Sequence, residues 1–68
     1  MMIDKNGKCD NSVKSILHVN GTEIMLTDNQ FFQETPSGKR IELWEGGEFG
    51  KRIKYWNRSS IIGVGRIK

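Results

Sequence analysis

Val13-Lys14-Ser15-Ile16-Leu17-His18-Val19-Asn20-Gly21-Thr22-Glu23-Ile24-Met25-Leu26 reads as two strands and the turn between them. The first strand, Val13 to Val19, alternates Val13, Ser15, Leu17 and Val19 on one face with Lys14, Ile16 and His18 on the other. Asn20-Gly21 is a strong short hairpin signal, because both residues tolerate positive φ and a type I′ turn matches strand twist. Thr22 to Leu26 returns as the second strand, with Thr22, Ile24 and Leu26 together. Successive strand side chains point to opposite faces, so this spacing fits a sheet and no helix.

The same pattern extends outward. Thr27-Asp28-Asn29 is a turn, and Gln30 to Thr35 a third strand with Phe31 and Phe32 on opposite faces. One of them belongs to the core and the other either to an oligomer interface or to an exposed binding face, with Phe32 the interface candidate. Pro36-Ser37-Gly38 makes a tight turn. Lys39 to Glu45 is a fourth strand, with Ile41 and Leu43 inward and Arg40, Glu42 and Trp44 opposite. A glycine-rich loop over 46–50 leads to a fifth strand, Lys51 to Trp56, where Ile53 and Tyr55 alternate against Arg52, Lys54 and Trp56. Asn57-Arg58-Ser59 reads as a short turn, of 3₁₀ type at most. Ser60 to Ile67 closes the chain, and Gly63 and Gly65 mark a bulge or a tight bend.

Residues 1–12 are polar and weakly patterned. They form either a hairpin closed at Asn6-Gly7 or an exposed arm ahead of the domain over 13–68. The chain has no alanine and eight glycines, which further disfavours helix. The expected architecture is all-β: a five- to six-stranded antiparallel sheet, curled into a partly open barrel of the SH3-like, OB-like or Sm-like kind, with little or no helix.

With 68 residues the chain makes one domain. A domain this small buries a modest core. One cysteine, Cys9, precludes an intrachain disulfide, and with the lone His18 it is too few for a Cys/His zinc site. Association into a homo-oligomer is the remaining way to gain stability. The single thiol fits a reducing, cytoplasmic compartment, and no apolar run approaches a membrane span of about 20 residues. Lys, Ile and Asn are abundant, a composition suggestive of an AT-rich bacterium or its phage.

Charge is distributed unevenly. The first 38 residues carry three Lys or Arg and five acids, a balance of −2, whereas 39–68 carry eight bases against three acids, a balance of +5. Trp44, Phe49, Tyr55 and Trp56 lie among those bases. Cations beside flat rings hold phosphates and stack on bases. Pairing of the fourth and fifth strands would gather Arg40, Trp44, Arg52, Lys54 and Trp56 into one patch, flanked by Lys51 and Arg58. These seven residues are the candidate site for single-stranded nucleic acid or a nucleotide. The competing reading is an amphipathic hairpin whose basic stems cover the rings, with Glu42 paired across strands.

Other chemistry has weaker support. Gly46-Gly47 and Gly63-Val64-Gly65 match no phosphate-loop fingerprint. His18 and Cys9 have no partners at a spacing that suggests catalysis, and Glu42 and Glu45 point to opposite strand faces. No enzyme activity, metal or cofactor is expected. The alternative function is that of a small phage-type regulatory or inhibitor protein that docks on a larger host protein, with Phe49 at a loop tip and Phe32 as anchors.

Overall fold

A computed structural model describes residues 1–46 and 50–66. The protein is all-β and its strands form two sheets. Among the described residues eight strands follow in order: β1 (Met2–Ile3), β2 (Cys9–Asp10), β3 (Val13–His18), β4 (Glu23–Met25), β5 (Gln30–Glu34), β6 (Arg40–Glu45), β7 (Lys51–Asn57) and β8 (Ile61–Arg66). A 3₁₀ turn, Arg58–Ser60, links the last two. One sheet runs β2-β1-β5-β6-β7 and the other β4-β3-β8. Strand count and sheet count therefore both exceed the expected single curled sheet.

The hairpin of β3 and β4 forms, but not with the expected turn. Gly21 has φ of 91°, whereas no non-glycine among the described residues has positive φ, so Asn20 cannot supply its half of a type I′ turn. The Gly21 N–H donates to His18 O at 2.9 Å and the His18 N–H to Thr22 O at 2.8 Å. The loop thus has three residues, the form in which a turn is followed by a left-handed glycine. A two-residue loop would pair Val19 with Thr22. The extra loop residue moves every pair by one, and Ile16 faces Ile24. A slip of one residue exchanges the faces of a strand, so Ile16 is fully buried and Val19 is 60% exposed.

Two register shifts on β3 adjust the rest. Val13 opposes Arg66 and Ser15 opposes Gly65, which leaves Lys14 as an extra residue. That irregularity turns Val13 to the same side as Ile16, and both reach the core. Further along, Leu17 opposes Gly63 and His18 opposes Ile61, so Ile62 is the extra residue on β8. The glycines Gly63 and Gly65 therefore stand opposite Leu17 and Ser15 beside these irregularities.

The N-terminal segment takes the hairpin alternative. β1 pairs antiparallel with β2 around Asp4, whose Oδ1 accepts the N–H groups of Asn6 at 2.9 Å and Lys8 at 3.0 Å. β1 also pairs parallel with β5, Met2 beside Phe32 and Ile3 beside Gln33. This parallel pair makes the larger sheet mixed, against the expected all-antiparallel arrangement. The Arg66 guanidinium binds the Asp10 carboxylate and donates to Ser12 Oγ at 2.9 Å, tying the N-terminal hairpin to β8.

Both sheets contribute to one core. Val13, Ile16 and Ile61 come from the smaller sheet, and Phe32, Ile41 and Leu43 from the larger. Phe32 is fully buried, which overturns its assignment as an interface residue. Its ring lies opposite Leu43 and meets Trp56 edge-on at a centroid distance of 6.5 Å. The exposed-face partner is Phe31.

Candidate nucleic-acid interface

β6 carries alternating residues as expected: Ile41 and Leu43 are buried, and Arg40, Glu42 and Trp44 lie on the outer face. β7 does not continue that alternation. Arg40 opposes Asn57, Ile41 opposes Trp56, Glu42 opposes Tyr55 and Leu43 opposes Lys54, but Trp44 opposes Arg52. Ile53 is the extra residue. Because a bulge shifts the face of everything beyond it, Arg52 and Tyr55 share the outer face, while Lys54 and Trp56 lie on the inner side.

The two tryptophans consequently lie on opposite faces of the sheet. Trp56 packs against the core beside Ile41, half-buried, with Lys54 Nζ 5.4 Å from the centre of its ring. Trp44 remains outside and lies nearly parallel to Phe31, with centroids 6.3 Å apart and an interplanar angle of 8°. The expected patch of two indoles and three cations is divided by the sheet. Tyr55, expected inward, is 47% exposed.

The outer face assembles a different group. The guanidinium of Arg40 sits 4.8 Å from the centre of the Tyr55 ring, and that of Arg52 sits 5.5 Å from it. Arg52 Nη1 donates to Glu42 Oε2 at 2.8 Å, and Trp44 Nε1 donates to Glu42 Oε1 at 3.3 Å. One carboxylate therefore positions both a cation and an indole. Glu42 is mostly shielded, its side chain 13% exposed against 49% for Arg52. The cross-strand Glu42 pairing of the competing reading is present.

The other expected residues are dispersed. Lys51 is exposed opposite Glu45 at the far end of β7. Arg58, in the 3₁₀ turn, is half-buried and donates from Nη1 to Ile61 O at 3.0 Å, which ties the turn to β8. Phe49 lies outside the described residues. Of the seven candidates, Arg40, Trp44 and Arg52 come together, and Phe31 and Tyr55 join them. Strand alternation offers Phe31 as one of two alternatives for the outer face, whereas Tyr55 depends on a bulge with no sequence signal.

His18 lies half-buried on the inner side of β3, its Nδ1 accepting the Asn20 N–H at 3.1 Å. Cys9 is an exposed free thiol that donates to Asn11 Oδ1 at 3.0 Å. Among the described residues no three His, Cys, Asp or Glu converge as metal ligands, and no helix is long and apolar enough to cross a membrane. No protein-family model, curated protein or solved structure matches this chain.

Proposed function

We propose that the outer face of β5, β6 and β7 is a non-catalytic platform for single-stranded nucleic acid. The observation that carries this reading is the Tyr55 ring flanked by the Arg40 and Arg52 guanidinium groups, beside the parallel Phe31–Trp44 pair. Rings offer bases a stacking surface that tolerates any sequence, worth about 1–3 kcal/mol per base. The guanidinium groups over the Tyr55 ring meet phosphates, and exposed Lys51 extends the positive field to the far end of β7.

Titrating a dye-labelled, unphosphorylated oligo(dT) of about ten nucleotides with the protein, followed by the anisotropy of the dye, tests the platform. Tyr55→Ala and Trp44→Leu should each weaken binding about tenfold or more, the equivalent of one lost stack. Raising salt from about 50 to about 200 mM should weaken it further. Unchanged affinity in both variants, or no response to salt, would refute the platform.

A second reading concerns the smaller sheet and its hairpin loop, where Met25 and Ile62 on the strands and Val19 in the loop are each at least 60% exposed. A second copy of the chain is the proposed occupant, giving a homo-oligomer. Sedimentation at rising concentration should show mass above the monomer, and a constant monomer mass would eliminate it. The three register shifts support reading the two sheets as a flattened, partly open barrel, since bulges bend strands. The exposed thiol of Cys9 supports a cytoplasmic, reducing compartment.

A further inference from the structure

On the side of β7 away from the platform, the edge of the larger sheet faces the β3–β4 hairpin across a cleft of about 320 Å³. His18, Asn20, Thr22 and Ile24 line one wall and Lys54 and Trp56 the other. The volume sits at the lower end of the roughly 300–1,000 Å³ typical of small-molecule sites.

The polar lining is made of donors. His18 Nδ1 is occupied as an acceptor by the Asn20 N–H, so the neutral imidazole carries its proton on Nε2. Asn20 Oδ1 likewise accepts the Thr22 N–H at 2.9 Å, which leaves the amide NH₂ to donate. Lys54 makes no ion pair among the described residues, and no carboxylate lines the cleft. An ammonium, an imidazole N–H, an amide and a hydroxyl thus border an indole on one wall and an isoleucine on the other. Such a lining complements an anion attached to a flat apolar ring.

We infer that this cleft binds a nucleoside monophosphate, the phosphate against Lys54 and His18 and the base against Trp56 and Ile24. The site is separate from the platform, which uses neither Lys54 nor Trp56, so each can fail without the other.

Trp44→Phe protein leaves Trp56 as the sole indole and reports on the cleft directly. Titration with adenosine monophosphate should give a saturable fluorescence change, and adenosine should bind at least about tenfold more weakly, the scale of one charge-assisted hydrogen bond. Lys54→Gln, at an exposed position, should lower affinity for the monophosphate by a similar factor and leave adenosine unaffected. Competition by a terminally phosphorylated oligonucleotide would extend the site to strand ends, and failure to compete would restrict it to the free nucleotide. No saturable change, equal affinity for nucleoside and nucleotide, or an unaltered Lys54→Gln variant would each overturn the assignment.

Discussion

A methyl group at Gly65 would lie 2.0 Å from Ser15 Oγ and 3.4 Å from Ser15 Cβ. The contact matters because Ser15 is nearly buried and its hydroxyl donates to Glu23 Oε2 at 3.0 Å, joining β3 to β4. Gly65→Ala must turn that hydroxyl away and break the bond, at a cost of about 1 kcal/mol or more. Ser15→Ala removes the obstructing oxygen. The double variant should therefore be destabilised by less than the sum of the two single changes, as measured by denaturant unfolding. Strict additivity would show that the two residues do not meet as described. The sequence marked Gly65 as special, but its reason, a partner fifty residues away, required the register.

At the scale of the strand, β6 was legible and β7 was not. Ile41 and Leu43 faced the core as their alternation required, because the strand is regular and both neighbours pair with it. β7 lies at the sheet edge, where a bulge is easily accommodated. The shift at Ile53 sent Tyr55 outward and separated the two indoles. The β3–β4 hairpin failed in a similar way: its existence was clear from Asn20-Gly21, but loop length decided which residues were buried. Phe31 and Phe32 could not be ranked from alternation, since period alone assigns opposite faces without saying which is inside.

Glu42 gives this element its most discriminating prediction. Its carboxylate holds Arg52 and the Trp44 indole N–H, and so competes with any phosphate for the guanidinium. Glu42→Gln should release that cation and tighten oligo(dT) binding several-fold. Stability should fall by no more than about 1 kcal/mol, because Arg52 is half exposed and screened by water. Weaker binding by the folded variant would mean that Glu42 serves the site by orienting Arg52, contrary to the competition argued here.

For the whole molecule, the all-β class and the core candidates Ile41 and Leu43 were readable, but the division into two sheets was not. Strand pairing over long separations, such as Met2 beside Phe32, has no local signature. The N-terminal hairpin is joined to the smaller sheet through Asp10, Ser12 and Arg66. The Ser12 hydroxyl, followed by Arg66, lowers the Asp10 pKa from 3.8 to about 2. A carboxylate depressed on folding stabilises the fold above its unfolded pKa, and that contribution disappears as pH falls through the folded value. Acid titration of stability should therefore show a loss between 3.8 and about 2 that is smaller in Asp10→Asn. An identical acid profile in the variant would show that this bridge does not form in solution.

The opposed positions of the indoles allow a direct test of the platform itself. Their side-chain N–H resonances can be followed in a two-dimensional nitrogen-labelled NMR spectrum during titration with unphosphorylated oligo(dT). The Trp44 resonance should move and saturate, while that of Trp56, on the far side of the sheet, should stay nearly in place. An unmoved Trp44 signal, or a response confined to Trp56, would contradict nucleic-acid binding on the outer face.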